Sequence, residues 1–177
     1  ILKKLAVTEM GRLSVEQYHE AEKIPLVVVL DNVRSQHNIG AVFRTADAFR
    51  LTGIYLCGCS ATPPNQMIHK TALGAELSVD WKYFEQTSDA VTELRRQGYK
   101  ILCAEQAEGS ITPEQFEPST TPVAIVLGHE VFGVQQQIVD MSDGCIEIPQ
   151  YGTKHSLNVS VAAGIVMYVI SEKLRQR

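Results

Sequence analysis

Leu26-Val27-Val28-Val29-Leu30-Asp31-Asn32-Val33-Arg34-Ser35-Gln36-His37-Asn38-Ile39-Gly40-Ala41-Val42-Phe43-Arg44-Thr45-Ala46-Asp47-Ala48-Phe49 passes through three regimes in 24 residues. Five consecutive apolar residues, three of them β-branched, give a strand covered on both faces, because a strand with one wet face alternates. A polar loop follows from Asp31 to Asn38. Ile39, Val42, Phe43, Ala46 and Phe49 then recur at helical spacing and predict a helix over Ile39 to Phe49. Short apolar runs return at Ile54 to Cys57, Ile101 to Ala104, Val123 to Leu127 and Cys145 to Ile148, and a second helix is expected from Ser88 to Gly98. Strand and helix in alternation imply an α/β fold, a mostly parallel sheet flanked by helices with right-handed crossovers.

Outside these units, residues 1–24 read as an N-terminal helical extension, with a helix after Ser14 that carries Val15, Tyr18 and Ala21 on one side. Glu105 to Pro122 is rich in Pro, Ser, Thr and Glu and reads as a surface loop. Residues 25–177 then form one domain. From Leu157 to Ile170 the apolar residues point in every direction around the helical repeat, with Ser156 expected at the N-cap. A terminal helix without a wet face is central to the fold or buried in a subunit contact. The small residues Ala162, Ala163 and Gly164 favour a homodimer through this helix.

The 177 residues suit one domain, and 45% hydrophobic with 20% charged residues excludes a disordered chain. The longest apolar run, Ala162 to Ile170, falls short of the ~20 residues of a membrane helix. Ile1-Leu2-Lys3-Lys4 has no apolar leader core. Cys57, Cys59, Cys103 and Cys145 form no CxxC pair and lie in or beside apolar runs, so buried reduced thiols and a cytoplasmic location are expected. The net charge is −4, and eight acidic residues with no Lys or Arg fall between Ile101 and Gln150. Binding of nucleic acid through bulk charge is excluded, and RNA would need a few placed cations such as Arg34, Arg44, Arg50 and Lys70.

The loop after the first strand has no GxGxxG and no GxxxxGK[ST], which disfavours a dinucleotide site and a P-loop. On a helical wheel Arg44 lies opposite the apolar stripe. It faces solvent or a ligand, the plain alternatives being an ion pair with Asp47 at i+3 and an Asn38 that caps the helix. Two further strand ends carry polar and glycine-rich loops: Leu127-Gly128-His129-Glu130-Val131-Phe132-Gly133, and Ile148-Pro149-Gln150-Tyr151-Gly152-Thr153-Lys154-His155-Ser156-Leu157-Asn158. In an α/β sheet such loops gather at one edge, where ligands bind.

These three segments resemble the three motifs of the SpoU (TrmH-like) branch of the SPOUT RNA methyltransferases: Asn38-x-Gly40-x-x-x-Arg44-x-Ala46, Leu127-Gly128-x-Glu130-x-x-Gly133, and Ile148-Pro149 followed by Ser156-Leu157-Asn158-Val159. The resemblance runs from Leu26 to Ile170. It implies a SPOUT-type domain with a C-terminal trefoil knot, a homodimer, and S-adenosylmethionine held near Leu127, Gly128, Gly133, Ile148, Pro149 and Leu157. It implies methyl transfer to a ribose 2′-hydroxyl of tRNA or rRNA without a metal, with Arg44, Asn38, Glu130, Ser156 and Asn158 as the catalytic set. A guanidinium whose pKa exceeds ~12 is a poor base. Arg44 is therefore expected to grip a phosphate and stabilise the developing alkoxide, with Arg34 and Arg50 beside it on the RNA and Glu130 either orienting Arg44 or shaping the loop. His37, His129 and His155 match no fixed position of the motifs. A non-catalytic RNA-binding or assembly protein with the same fold, and a base-methylating SPOUT enzyme, are the competing readings, with a flavodoxin-type nucleotide binder further behind.

Overall fold

The computed structural model describes residues 1–176. Six strands form one all-parallel sheet: β1 (Ile24–Asp31), β2 (Leu51–Cys57), β3 (Trp81–Phe84), β4 (Lys100–Ala104), β5 (Val123–Gly128) and β6 (Gly144–Ile146). Their order across the sheet is β3-β2-β1-β5-β4-β6. The central pair, β1 and β5, runs in register from Leu26 opposite Val123 to Asp31 opposite Gly128. Alternate residues of these strands feed two separate cores. Leu26, Val28, Leu30, Ile125 and Leu127 face α2 (Gln36–Phe49) and α7 (Val159–Arg175), whereas Val27, Val29, Ala124 and Val126 face α5 (Thr87–Arg96) and α6 (Gln136–Met141). Both faces are dry, which is why the strands read as unbroken apolar runs.

Helix α2 begins three residues before Ile39, because the Ser35 side chain accepts the Asn38 N–H and caps the first turn. Ser35 therefore takes the capping role, and Asn38 sits inside the helix with its amide free to bond elsewhere. Ile39, Val42, Phe43 and Ala46 are fully buried. Gly40 faces α3 (Gln66–Ala72), where a Cβ would lie 2.0 Å from Thr71 Oγ1 and 2.2 Å from the Ile68 carbonyl oxygen. Glycine here sets the distance between two helices. Arg50 ends α2 in the left-handed region at φ 55°.

Several expectations are corrected. The cap of α7 is Asn158, whose Oδ1 accepts the N–H groups of Ser160 and Val161, and Ser156 lies in the preceding loop. The last apolar run is strand only to Ile146. Cys59 is exposed, whereas burial pushes the Cys57 and Cys103 thiols up to about 12. Of the apolar side expected in the N-terminal helix α1 (Val15–Glu20), Tyr18 alone is buried, with its hydroxyl donating to the Leu51 carbonyl at 3.1 Å. Four strands or α-helices had no counterpart in the sequence reading: β3, α3, α4 (Ala75–Ser78) and α6. Among the described residues no helix is long and apolar enough to cross a membrane.

After β6, at one edge of the sheet, the chain runs from Glu147 to Asn158 with no helix or strand and returns α7 to the sheet centre against α2, β1 and β5. That return brings the third motif back over the ends of β4 and β5.

Candidate active site

All six strands are parallel, so their C-terminal ends share one edge. Between β1 and β5 the chain leaves in opposite directions, since β1 leads through α2 to β2 while β5 leads through α6 to β6. A crevice at such a reversal point is where α/β sheets receive ligands. The loop after β1, the turn after β5 and the start of α7 meet there.

Glu130 joins the first two. Its carboxylate accepts the backbone N–H groups of Arg34 at 3.0 Å and Ser35 at 2.8 Å, and the Asn38 side-chain amide at 3.3 Å. Asn38 in turn accepts the Asn158 amide through Oδ1 at 3.3 Å. One chain of hydrogen bonds, Asn158 to Asn38 to Glu130, therefore ties the three motifs together. Burial alone would push the Glu130 carboxyl up, but the donors from Ser35, Arg34, its own N–H and Asn38 outweigh it and hold the pKa below the ordinary carboxylate value. The N-terminus of α2 adds positive potential at the same place. Glu130 is an anchored anion at neutral pH. Of its two expected roles the geometry gives loop shaping, as its partners are backbone and Asn38 rather than Arg44.

Beneath lies a second hub. Asp31 is fully buried at the end of β1, and its carboxylate accepts the Thr87 hydroxyl, the Gln135 N–H and the Gln135 side-chain amide at 2.6, 2.8 and 2.6 Å. Gln135 thereby fixes the far end of the turn after β5 to the central strand, and Thr87 ties the start of α5 to the same carboxylate. Asp31 stands in the loop read from sequence, but nothing there distinguished it from a solvated turn residue. Gln135 and Thr87 were missed because their partner is distant in the chain.

The turn and the start of α7 enclose a cleft of about 600 Å³. Leu127, Gly128, Gly133, Ile148 and Leu157, all expected at a cofactor, line it, as do Glu130, Ser156 and Asn158. Pro149 is exposed between two lining residues, Ile148 and Gln150. Gly128 is required where it stands, because a Cβ would come 2.1 Å from the Gly133 carbonyl carbon. Gly133 has φ 70°, and a Cβ there would lie 2.2 Å from Glu105 Oε1, the same oxygen that accepts the Val134 N–H at 2.6 Å. The lining combines an apolar floor of Leu127, Ile146 and Val159 with three carboxylates, Glu105, Glu130 and Glu147, and among the described residues it includes no Lys or Arg. Such a lining rejects phosphate and suits an amphipathic cation. S-adenosylmethionine, with a sulfonium, an amine and an apolar-faced purine, fits this donor set.

Arg44 does not line the cleft. It is exposed on α2, a turn and a half beyond Asn38, and its side chain makes no hydrogen bond or ion pair among the described residues, so the pairing with Asp47 is absent. Asp47 accepts the Ser78 hydroxyl instead. Arg34 is exposed beside Glu130, and its guanidinium has no partner among the described residues. Arg50 lies at the other end of α2, about 20 Å along a helix of this length, where its carbonyl accepts the Ile24 N–H at the start of β1. The structure therefore brings Arg34 to the site and leaves Arg50 at the opposite edge of the sheet. Ser156 is exposed, and its hydroxyl has no partner among the described residues.

Comparison with known proteins agrees with this geometry. The SpoU rRNA Methylase family matches residues 25–168. A tRNA (guanosine(18)-2′-O)-methyltransferase of Aquifex aeolicus is 34% identical over 161 residues, covering 89% of this chain and 72% of that protein. A Staphylococcus haemolyticus protein described as a putative TrmH family tRNA/rRNA methyltransferase is 31% identical over 162 residues, and the chain spans 92% of its own length but 64% of that relative. Among solved structures, the A. aeolicus TrmH/SpoU tRNA modifying enzyme superposes with a TM-score of 0.80 at 27% identity, covering 92% of this chain and 83% of that one. An AdoMet-bound rRNA methyltransferase from Sinorhizobium meliloti gives 0.79 at 25% identity over 88% and 59%. With the three motifs hydrogen-bonded around one cleft and the family match running from β1 into α7, the chain belongs to the SpoU rRNA methylase family.

Proposed function

We propose that the protein methylates a ribose 2′-hydroxyl of tRNA or rRNA, using S-adenosylmethionine. The observation that carries this reading is the Asn158–Asn38–Glu130 chain at the mouth of an acidic cleft. When bound, S-adenosylmethionine supplies an electrophilic methyl group on a sulfonium, with Leu127, Gly128, Gly133, Ile148, Pro149 and Leu157 as the residues that would hold it and Glu105 and Glu147 as the carboxylates that complement its charge. In the transfer the 2′-oxygen gains a bond to the methyl carbon, the sulfur–methyl bond breaks, and the hydroxyl proton leaves to phosphate or water.

The chain's own residues do the positioning, which accounts for much of the rate in such a displacement. Arg44 grips the adjacent phosphate as a planar fork and stabilises the oxygen as it becomes negative. Asn38 and Asn158, already bonded to each other, and the free Ser156 hydroxyl orient the ribose. Glu130 holds the Arg34–Asn38 segment in place and stays ionised throughout. Arg34 contacts phosphate next to the site, and Arg50 contacts a more distant stretch of RNA.

The protein acts as a homodimer in the cytoplasm, with residues 25–177 as the catalytic domain and 1–24 as its extension, and with the return of the chain before α7 threaded as a trefoil knot. Val161, Ile165 and Tyr168 support the dimer: they form an open stripe on α7 and are 51%, 38% and 55% exposed. Gly164 lies on the same side, with open space where a Cβ would be.

The test is transfer of a labelled methyl group from S-adenosylmethionine to unmodified RNA fractionated into tRNA and rRNA, for wild type and Arg44→Ala. Label in one fraction that is lost with the substitution, and that survives nuclease P1 digestion as a 2′-O-methyl nucleotide by mass spectrometry, is the expected result. Label on a base, or none in a protein that binds the cofactor, overturns the reading.

A further inference from the structure

Val131 and Phe132 are 78% and 83% exposed, yet they stand on a turn that is held at both ends. His129 and Gly133 exchange backbone hydrogen bonds of 3.1 and 2.8 Å, and Glu130 is fixed on the Arg34 and Ser35 N–H groups. His129 Nδ1 accepts the Val131 and Phe132 N–H groups at 3.0 and 3.3 Å. The Phe132 ring then stacks on the His129 ring with centroids 4.8 Å apart and planes 26° from parallel. A phenylalanine fixed in this way with most of its surface in water adds little to its own fold, and its ordering costs nothing further when a partner arrives.

We infer that the His129–Phe132 pair is the platform on which the base of the methylated nucleotide stacks. The inference rests on the RNA reading above and names the part of the substrate this turn handles. A ribose at the cleft mouth has a phosphate on one side and a base on the other. The phosphate is repelled by Glu105, Glu130 and Glu147 and is drawn to the exposed guanidinium groups of Arg34, whose backbone is bonded to Glu130, and of Arg44, six residues beyond Asn38 on α2. The base is left facing the turn, where an aromatic face is presented. Stacking tolerates every base and is the usual way proteins hold a nucleotide swung out of its helix.

The experiment measures the affinity of unmodified tRNA transcripts and unmodified rRNA at several salt concentrations, together with KM and kcat for the class that accepts methyl, for wild type, Phe132→Ala, Phe132→Trp and Arg34→Ala. Phe132→Ala should weaken RNA affinity and raise KM by about 5- to 150-fold, leaving thermal stability and the salt slope unchanged. Phe132→Trp should restore affinity, whereas Arg34→Ala should lower the salt slope by about one. Unchanged affinity in Phe132→Ala overturns the platform, as does a changed salt slope. Loss of the dimer in that variant also overturns it, since the ring would then belong to a subunit contact. Wild-type protein that methylates RNA while Phe132→Ala matches it defeats the platform alone; wild-type protein that transfers nothing defeats the functional reading, and the platform falls with it.

Discussion

Glu130 and Arg44 are the two charged members of the motifs, and their surroundings assign them opposite duties. Arg44 is exposed and unpaired, so its removal costs the fold little. Arg44→Ala should lower the methyl-transfer rate by about 10²–10³-fold while the thermal midpoint and S-adenosylmethionine affinity stay as in wild type. Arg44→Lys should not rescue it, because an ammonium cannot reproduce the fork; full activity in the lysine variant would remove the bidentate role. Glu130 is the reverse case, an anion that four donors favour. A carboxyl whose folded pKa lies below its unfolded value of about 4.3 contributes stability that is fully present above that value and is lost as pH falls through the lower, folded one. Glu130→Ala should therefore be less stable than wild type by about 1–2 kcal/mol at pH 7, and the difference should close in the acid range below the ordinary carboxylate pKa. Urea unfolding of both proteins at several pH values measures this, and a gap that persists at acid pH would remove the charge from the account.

Local pattern was enough for strands with dry faces and for helices with a clear apolar stripe such as α2 and α5, and not for short elements with few buried residues. β1, β2, β4 and β5 have continuous buried runs and were read to within a few residues. β3 was not, since it is a four-residue edge strand whose Lys82 and Tyr83 are exposed. α3 buries Ile68 and Ala72 alone, and its one local sign was Asn65, whose side chain caps the first turn. The same division holds at the site. Glycine and polar residues at strand ends announced the cleft, but Asp31 with Gln135, and Glu105 with Val134, are pairs whose partners lie 104 and 29 residues apart, and no local spacing encodes them. Helix contacts set by a missing side chain are equally hidden until the neighbour is known. Gly40→Ala forces a Cβ into the Ile68 carbonyl and Thr71 hydroxyl and should destabilise the protein by about 2–3 kcal/mol in urea unfolding. A loss no larger than that of an exposed alanine substitution would show that α2 and α3 separate without strain.

At the level of the whole molecule, α7 has two apolar faces and one core to fill. Val159, Ala163, Val166, Met167 and Ile170 are buried against α2 and the sheet, which leaves Val161, Ile165 and Tyr168 at spacings of four and three on the open side. Leu157, the residue before the Asn158 cap and 37% exposed, lines the cleft one turn of chain ahead of that stripe. A second copy seated on the stripe would therefore reach the edge of the active site, and assembly and catalysis would depend on the same side chains. Val161→Asp combined with Ile165→Asp leaves the fully buried residues of α7 in place, so the variant should stay folded with an unchanged circular dichroism spectrum. It should sediment as a monomer and wild type as a dimer, because two charges on each copy would meet in an apolar contact. Methyl transfer should fall with dimerisation, recovering in part at protein concentrations that restore the dimer. A variant that sediments as a monomer and transfers methyl at the wild-type rate would place the subunit contact away from the cleft.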